Sequence, residues 1–151
     1  MLHLALWEPE IPPNTGNIAR LCAATGTVLH LIGRLGFRLD DRSLRRAGLD
    51  YWGEVEYRRH TTLEEFEGFM GSARIYCFSA RAVVPYTRVI YQDGDALLFG
   101  GESHGLPAEL VERYGERALT IPMPAGKVRS LNLATAVGIV LYEALRQRQA
   151  W

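Results

Sequence analysis

Short apolar runs alternate with helix-forming stretches along the whole chain, and this alternation restricts its architecture more than any other feature. Leu2–Trp7, Thr27–Ile32, Val55–Arg58, Arg74–Ser79, Ala96–Phe99 and Ala118–Ile121 read as strands. Helical stretches separate them. One opens at Asn14 and runs to about Thr25, stopped by Gly26, and a short one, Arg42–Ala47, is capped by Asp40 or Asp41. Thr62 with Glu65 forms a capping-box pattern for a helix to about Met70, and Pro107 suits the first turn of one ending near Tyr114. The last helix runs from Leu131 to about Arg148, with Ser130 placed to cap it. Arg81–Tyr91 reads as a loop with a turn of helix. The pattern predicts a single α/β domain of 151 residues, a mainly parallel six-stranded sheet with helices on both faces.

In such sheets ligands sit off the carboxyl ends of the strands, so the loops there carry the function. The commonest occupants are excluded. The first strand-to-helix turn is Asn14-Thr15-Gly16-Asn17 rather than GxGxxG, and the second strand ends in Ile32-Gly33-Arg34 with no acid for a ribose. There is no P-loop and no G-x-S-x-G elbow. Cys22 and Cys77 lack metal-ligand spacing and read as buried thiols in a reducing compartment, so neither a metal nor a disulfide is expected. No apolar run is long enough to span a membrane, and Met1–Trp7 lacks the features of a signal peptide. The formal charge is zero, so a nucleic-acid surface has to be a local patch.

Three polar loops remain. Asn14–Arg20 follows the first strand, Gly100–Leu106 the fifth, and Ile121–Asn132 the sixth. Each has a structural reading: Asn14 as a helix cap, the glycines as a turn with Glu102 capping the next helix, and Ser130 as the cap of the last helix. The third loop also gathers Lys127, Arg129, Ser130 and Asn132 at a helix N-terminus, where anions are favoured. Together the loops lie on successive strand ends and are placed to converge on one rim.

The motifs Asn14-x-Gly16-Asn17-x-x-Arg20, Leu98-Phe99-Gly100-x-Glu102-x-x-Gly105-Leu106, and Ile121-Pro122-Met123 with Ser130-Leu131-Asn132-x-x-x-Ala136 resemble the three motifs of the SPOUT class of RNA 2′-O-methyltransferases. Leu44-Arg45-Arg46-Ala47-Gly48-Leu49-Asp50-Tyr51-Trp52 and Tyr91-Gln92-Asp93-Gly94 are similar to its small single-domain subfamily, which methylates the wobble nucleotide of leucine tRNAs. The resemblance covers essentially the whole chain. It implies a C-terminal trefoil knot, which general topology rules would not predict. It also implies a cytoplasmic homodimer that uses S-adenosyl-L-methionine, releases S-adenosyl-L-homocysteine, and acts on the anticodon stem-loop of tRNA. The alternatives within its reach are another tRNA or rRNA position, or a catalytically silent RNA-binding dimer.

The resemblance also assigns residues. Phe78, Gly100, Gly101, Ile121, Met123, Ser130 and Leu131 are expected to hold the cofactor, with the positive residues of the third loop not mainly a phosphate cradle. Arg20, Asn17, Glu102, Ser130 and Asn132 are expected to form the catalytic group. In that class the arginine at the Arg20 position is proposed as general base. A guanidinium stays protonated in proteins, which suits it better to binding a phosphate and stabilising developing alkoxide charge. Arg42, Arg45 and Arg46, together with Arg20, form the expected RNA contact, read otherwise as a solvated helix face. Tyr142 is placed at the dimer seam, near the active site, or as a packing residue. Gly101 and His104 depart from the commonest residues of the subfamily, and Pro124–Arg129 is slightly long.

Overall fold

A computed structural model describes residues 1–151, save for the side chains of residues 48–51. Those four positions fall within the Leu44–Trp52 stretch, so part of that resemblance lies outside the described residues.

The chain alternates as expected. β1 (His3–Trp7) leads to α1 (Pro12–Thr25) and β2 (Val28–Ile32); α2 (Arg42–Gly48) and a 3-10 turn (Leu49–Glu54) follow, then β3 (Tyr57–His60), α3 (Leu63–Met70), β4 (Ile75–Phe78) and β5 (Val84–Pro85). β6 (Ala96–Gly100), α4 (Ala108–Tyr114), β7 (Ala118–Thr120) and α5 (Leu133–Gln149) complete it. The strands form one sheet in the order β3-β2-β1-β6-β4-β7-β5, and every pairing is parallel. Leu4 of β1 lies opposite Leu29 of β2 on one side and Leu97 of β6 on the other. Strands buried this way need apolar side chains on both faces, which is why they read as continuous apolar runs rather than alternating ones.

The sheet has seven strands where the sequence predicts six. The additional one is β5, two residues inside the stretch read as a loop. Val84 and Pro85 lie opposite Leu119 and Thr120 of β7 at the sheet's edge, where a proline's missing N–H does no harm. The chain after it is pinned by side chains. Tyr91 Oη donates to the Tyr86 carbonyl at 2.6 Å, and Gln147 of α5 accepts from Tyr91 N at 2.9 Å while donating to the Val89 carbonyl at 3.1 Å.

Two apolar layers clasp the sheet. On one face Ile18, Ala19 and Cys22 of α1, Leu44 of α2, and Val137, Val140, Leu141 and Ala144 of α5 cover Leu4, Leu6, Leu29, Leu31 and Leu97. On the other, Phe66 and Met70 of α3 with Leu110 and Tyr114 of α4 cover Ala5, Ile32, Cys77 and Leu98. Each such fully buried leucine or phenylalanine contributes about 1.5–3 kcal/mol. Both cysteines are free and buried, and burial pushes their thiols up to about 12. Among the described residues no helix is long and apolar enough to cross a membrane, and no cluster of His, Cys, Asp and Glu is arranged to hold a metal ion.

Candidate active site

The loops after β1, β6 and β7 meet at the carboxyl end of the sheet, and side-chain bonds between residues far apart in sequence join them. Glu102, on the loop after β6, is the centre of this junction. Its carboxylate accepts from the backbone N–H of Glu10 at 2.7 Å and of Ile11 at 2.9 Å, and from Asn14 Nδ2 at 3.1 Å. α1 has prolines in its first turn, and its N-cap residue, Ile11, has no capping side chain. Glu102 therefore supplies from another loop both the acceptor and the negative charge that a helix N-terminus favours. The contact is reciprocal: Glu10 accepts from Ser103 N at 2.9 Å and from Ser103 Oγ at 2.8 Å, which holds the Glu10 carboxyl below the usual range.

Asn14 carries the junction on to α5. Its Oδ1 accepts from Asn132 Nδ2 at 3.1 Å, and Asn132 Oδ1 accepts from Thr135 N at 3.1 Å as the N-cap of α5. Two sequence expectations are corrected here. Asn14 does not cap α1; it sits inside the first turn, buried, with its amide turned to Glu102 and Asn132. Ser130 does not cap α5; Asn132 does, and the helix starts at Leu133. Both serine and asparagine are good caps, and the local pattern does not choose between positions two residues apart.

These loops wall a cavity of about 680 Å³, within the range of about 300–1,000 Å³ typical of small-molecule sites. Its apolar wall includes Phe78, Phe99, Ile121, Met123, Leu131 and Ala136. Phe78 and Phe99 stack on one another with ring centroids 4.7 Å apart. The polar wall includes Asn14, Glu102, Ser130 and Asn132. Gly100 and Gly101 also line it, but their lack of a side chain is required by the protein itself. A Cβ on Gly100 would lie 2.1 Å from the Gly105 carbonyl carbon, and one on Gly101 would lie 2.2 Å from the Glu8 carbonyl oxygen. The loop folds back on itself, with Gly105 N donating to the Gly101 carbonyl at 2.9 Å. Beside it, Glu8 holds a φ of 52°, a conformation that costs energy for a residue with a side chain.

The sequence-derived residues divide in two. Phe78, Gly100, Gly101, Ile121, Met123 and Leu131, with Glu102, Ser130 and Asn132, line this one cavity. Asn17 and Arg20 do not line it; they are exposed on α1, whose N-terminus Glu102 anchors. Arg42, Arg45 and Arg46 are exposed on α2, with the Arg45 guanidinium 5.9 Å from the centroid of the Trp52 ring. Tyr142 is 44% exposed and stands 6.2 Å from the Trp151 ring, so it is not a packing residue of the core. Sequence reasoning left Asn14, Glu10, Ser103 and Arg81 out of the site. The first was visible as the opening residue of the Asn14-x-Gly16-Asn17 motif; the others carried no local signal.

The sequence itself then decides the relationship. Residues 1–142 match the model of the SpoU rRNA Methylase family. The chain belongs to that family. Among SpoU relatives, the tRNA (cytidine(34)-2′-O)-methyltransferase of Escherichia coli strain K12 is 47% identical over 148 residues, covering 97% of this chain and 94% of that one. A solved structure described as giving structural insights into the 2-OH methylation of C/U34 on tRNA is 51% identical, with a TM-score of 0.95 over 100% of this chain and 98% of that one. An AdoMet-bound rRNA methyltransferase of Sinorhizobium meliloti is 30% identical, with a TM-score of 0.86 over 96% of this chain and 56% of that one. The parallel sheet and its flanking helices are thus the SpoU methylase fold, and the resemblance drawn from the three loop motifs is borne out.

Proposed function

We propose that this protein transfers a methyl group to the 2′-hydroxyl of the wobble nucleotide, cytidine or modified uridine 34, of leucine tRNAs. The observation that carries the reading is the near-complete likeness of the chain to the structure described for C/U34 2-OH methylation. The cavity supports it chemically. Ile121, Met123, Leu131 and Phe78 offer apolar surface for an adenine, and the Gly100–Gly101 backbone and Ser130 offer polar groups at its edge. These residues suit S-adenosyl-L-methionine, with S-adenosyl-L-homocysteine as the product. When bound, the donor supplies a sulfonium methyl to an in-line attack by the ribose hydroxyl, a reaction in which positioning provides much of the acceleration.

In this reading the protein's own groups do the following. Ser130 and Asn132 orient the ribose. Glu102, through its bonds to the N-terminus of α1 and to Asn14, fixes the helix that carries Asn17 and Arg20. Arg20 binds the phosphate next to the target and stabilises developing charge on the attacking oxygen. Arg42, Arg45 and Arg46 add phosphate contacts from α2. Arg20 and the α2 arginines lie outside the cavity of their own chain, which supports a homodimer in which one protomer's Arg20 serves its partner's cavity. The C-terminal trefoil knot and the cytoplasmic location expected from the sequence belong to the same proposal.

Methyl transfer to total tRNA, followed by mapping of the modified nucleotide, tests the reading. It predicts a 2′-O-methyl group at position 34 of leucine tRNAs. Modification elsewhere, or no transfer, contradicts it. Arg20→Lys keeps the charge but loses the planar fork; near-normal turnover in that variant would exclude the clamp assigned to Arg20.

A further inference from the structure

Polar side chains around the cavity differ in whether the protein already uses them. Glu102 is held by three donors. Asn132 is bonded to both Asn14 and Thr135, and Ser103 to Glu10. Ser130 and His104 have no such partner among the described residues, and among the arginines and carboxylates of the lining neither do Arg81 and Arg129. The two arginines line the cavity and both are exposed, which puts them on its open side. Neither guanidinium has a hydrogen bond or ion pair to another described residue, whereas Arg74, Arg113 and Arg146 each pair with a carboxylate. Arg81 stands on the loop after β4, with its backbone N–H donating to Ser79 Oγ at 3.1 Å, and Arg129 directly precedes Ser130. Lys127, two residues from Arg129, does not line the cavity.

We propose that Arg81 and Arg129 form a phosphate-binding pair at the cavity mouth, which holds the RNA phosphodiester beside the nucleotide to be methylated. The proposal rests on the function assigned above and names part of its substrate site. Glu102 is the cavity's one carboxylate among the described lining residues, and it is turned to the start of α1. The open side thus presents two guanidiniums, with no other carboxylate among the described lining residues to pair with them. A strand that brings its ribose to the cavity brings a phosphate on each side, and a guanidinium fork matches phosphate oxygens in pairs. The proposal departs from the expectation that the positive residues of the third loop are not mainly a phosphate cradle, for Arg129 and not for Lys127. A carboxylate at the amino-acid end of the methyl donor offers the same anionic chemistry, so the experiment has to separate the two sources.

The full-length protein and its Arg81→Ala, Arg129→Ala and doubly substituted variants are compared in two measurements. One is filter binding of an unmodified leucine tRNA transcript over a range of salt; the other is calorimetric titration with S-adenosyl-L-homocysteine. Each single substitution is expected to weaken tRNA binding about tenfold and to lower the salt slope by about one, the double by about two, with cofactor affinity and melting temperature unchanged. Arg129→Lys should keep the slope. Unchanged tRNA affinity and slope would overturn the proposal. So would a loss of S-adenosyl-L-homocysteine affinity with the tRNA slope intact, which assigns the pair to the carboxylate. Binding is read rather than turnover, so the two proposals fail separately: a protein that binds tRNA through this pair and transfers no methyl group sinks the assigned function and leaves the pair standing.

Discussion

Asn14 shows how much a single side chain does here. It donates to Glu102 and accepts from Asn132, so one amide joins loops 88 and 118 residues away. Asn14→Ala removes both bonds and leaves Asn132 Nδ2 without its acceptor, at a cost of about 1–3 kcal/mol. That is on the order of 2–4 °C of melting temperature per kcal/mol for a chain of this size. Asn14→Asp should be worse at neutral pH, because a second carboxylate then faces Glu102. Repulsion raises that aspartate's folded pKa, so the folded state takes up a proton more readily than the unfolded one. The variant should therefore recover stability as pH falls, once the protonated carboxyl can again donate to Glu102. Melting curves at several pH values check this, and an Asp variant no less stable than Ala at pH 7 would contradict it. The residue types at this site were legible from motif spacing. Their bonds were not, because an asparagine at a helix start looks the same whether it caps its own helix or reaches across the fold, and only the assembled loops decide between the two.

Among the elements, β1, β2 and β3 are tied by a row of imidazoles as well as by the sheet. His3 Nδ1 lies 2.9 Å from His30 Nε2, His30 Nδ1 lies 2.9 Å from His60 Nε2, and His60 Nδ1 is 3.9 Å from Glu65 Oε1. A neutral imidazole has one N–H and one acceptor, so the row runs in one direction, and the Glu65 carboxylate favours the one that points an N–H at it. Phe66 and Phe69 of α3 pack against the rings. Burial, with the neighbouring imidazoles and Arg58 adding to it, pulls His30 down to about 3. His3 is lowered by burial and by the chain's amino group, with Glu56 opposing and Arg58 adding, and His60 by burial against the pull of Glu65. An unfolded histidine titrates near about 6.5. Between that value and about 3 the unfolded chain takes up protons that the folded chain refuses, so stability is lost as pH falls through this window. Denaturant unfolding from pH 7 to 4 should show that loss, and His30→Asn should flatten it. An equal pH slope in the variant would exclude the row as its source. None of this was legible, because three histidines 27 and 30 residues apart meet only through strand register. β5 escaped notice for the opposite reason: two residues ending in proline carry no periodicity.

For the whole molecule, the alternation of strands and helices and the rim where three loops converge could be read from the sequence. Periodicity fixes element type, and parallel connection puts successive strand ends on one side. Strand order could not, because the inner strands β1, β2, β4 and β6 are largely buried and apolar, and nothing local distinguishes their neighbours. The proposed knot and dimer rest on family likeness alone, and sedimentation of the protein as two 16.9 kDa chains is the outcome the proposed dimer requires. If the cavity between these loops delivers a methyl group to one ribose hydroxyl, that hydroxyl is indispensable. Methyl transfer to a synthetic leucine anticodon stem-loop, with and without a single 2′-deoxy substitution at nucleotide 34, tests it most directly. Transfer is expected to the unsubstituted RNA and none to the deoxy form; equal transfer to both would mean that the acceptor is not this hydroxyl.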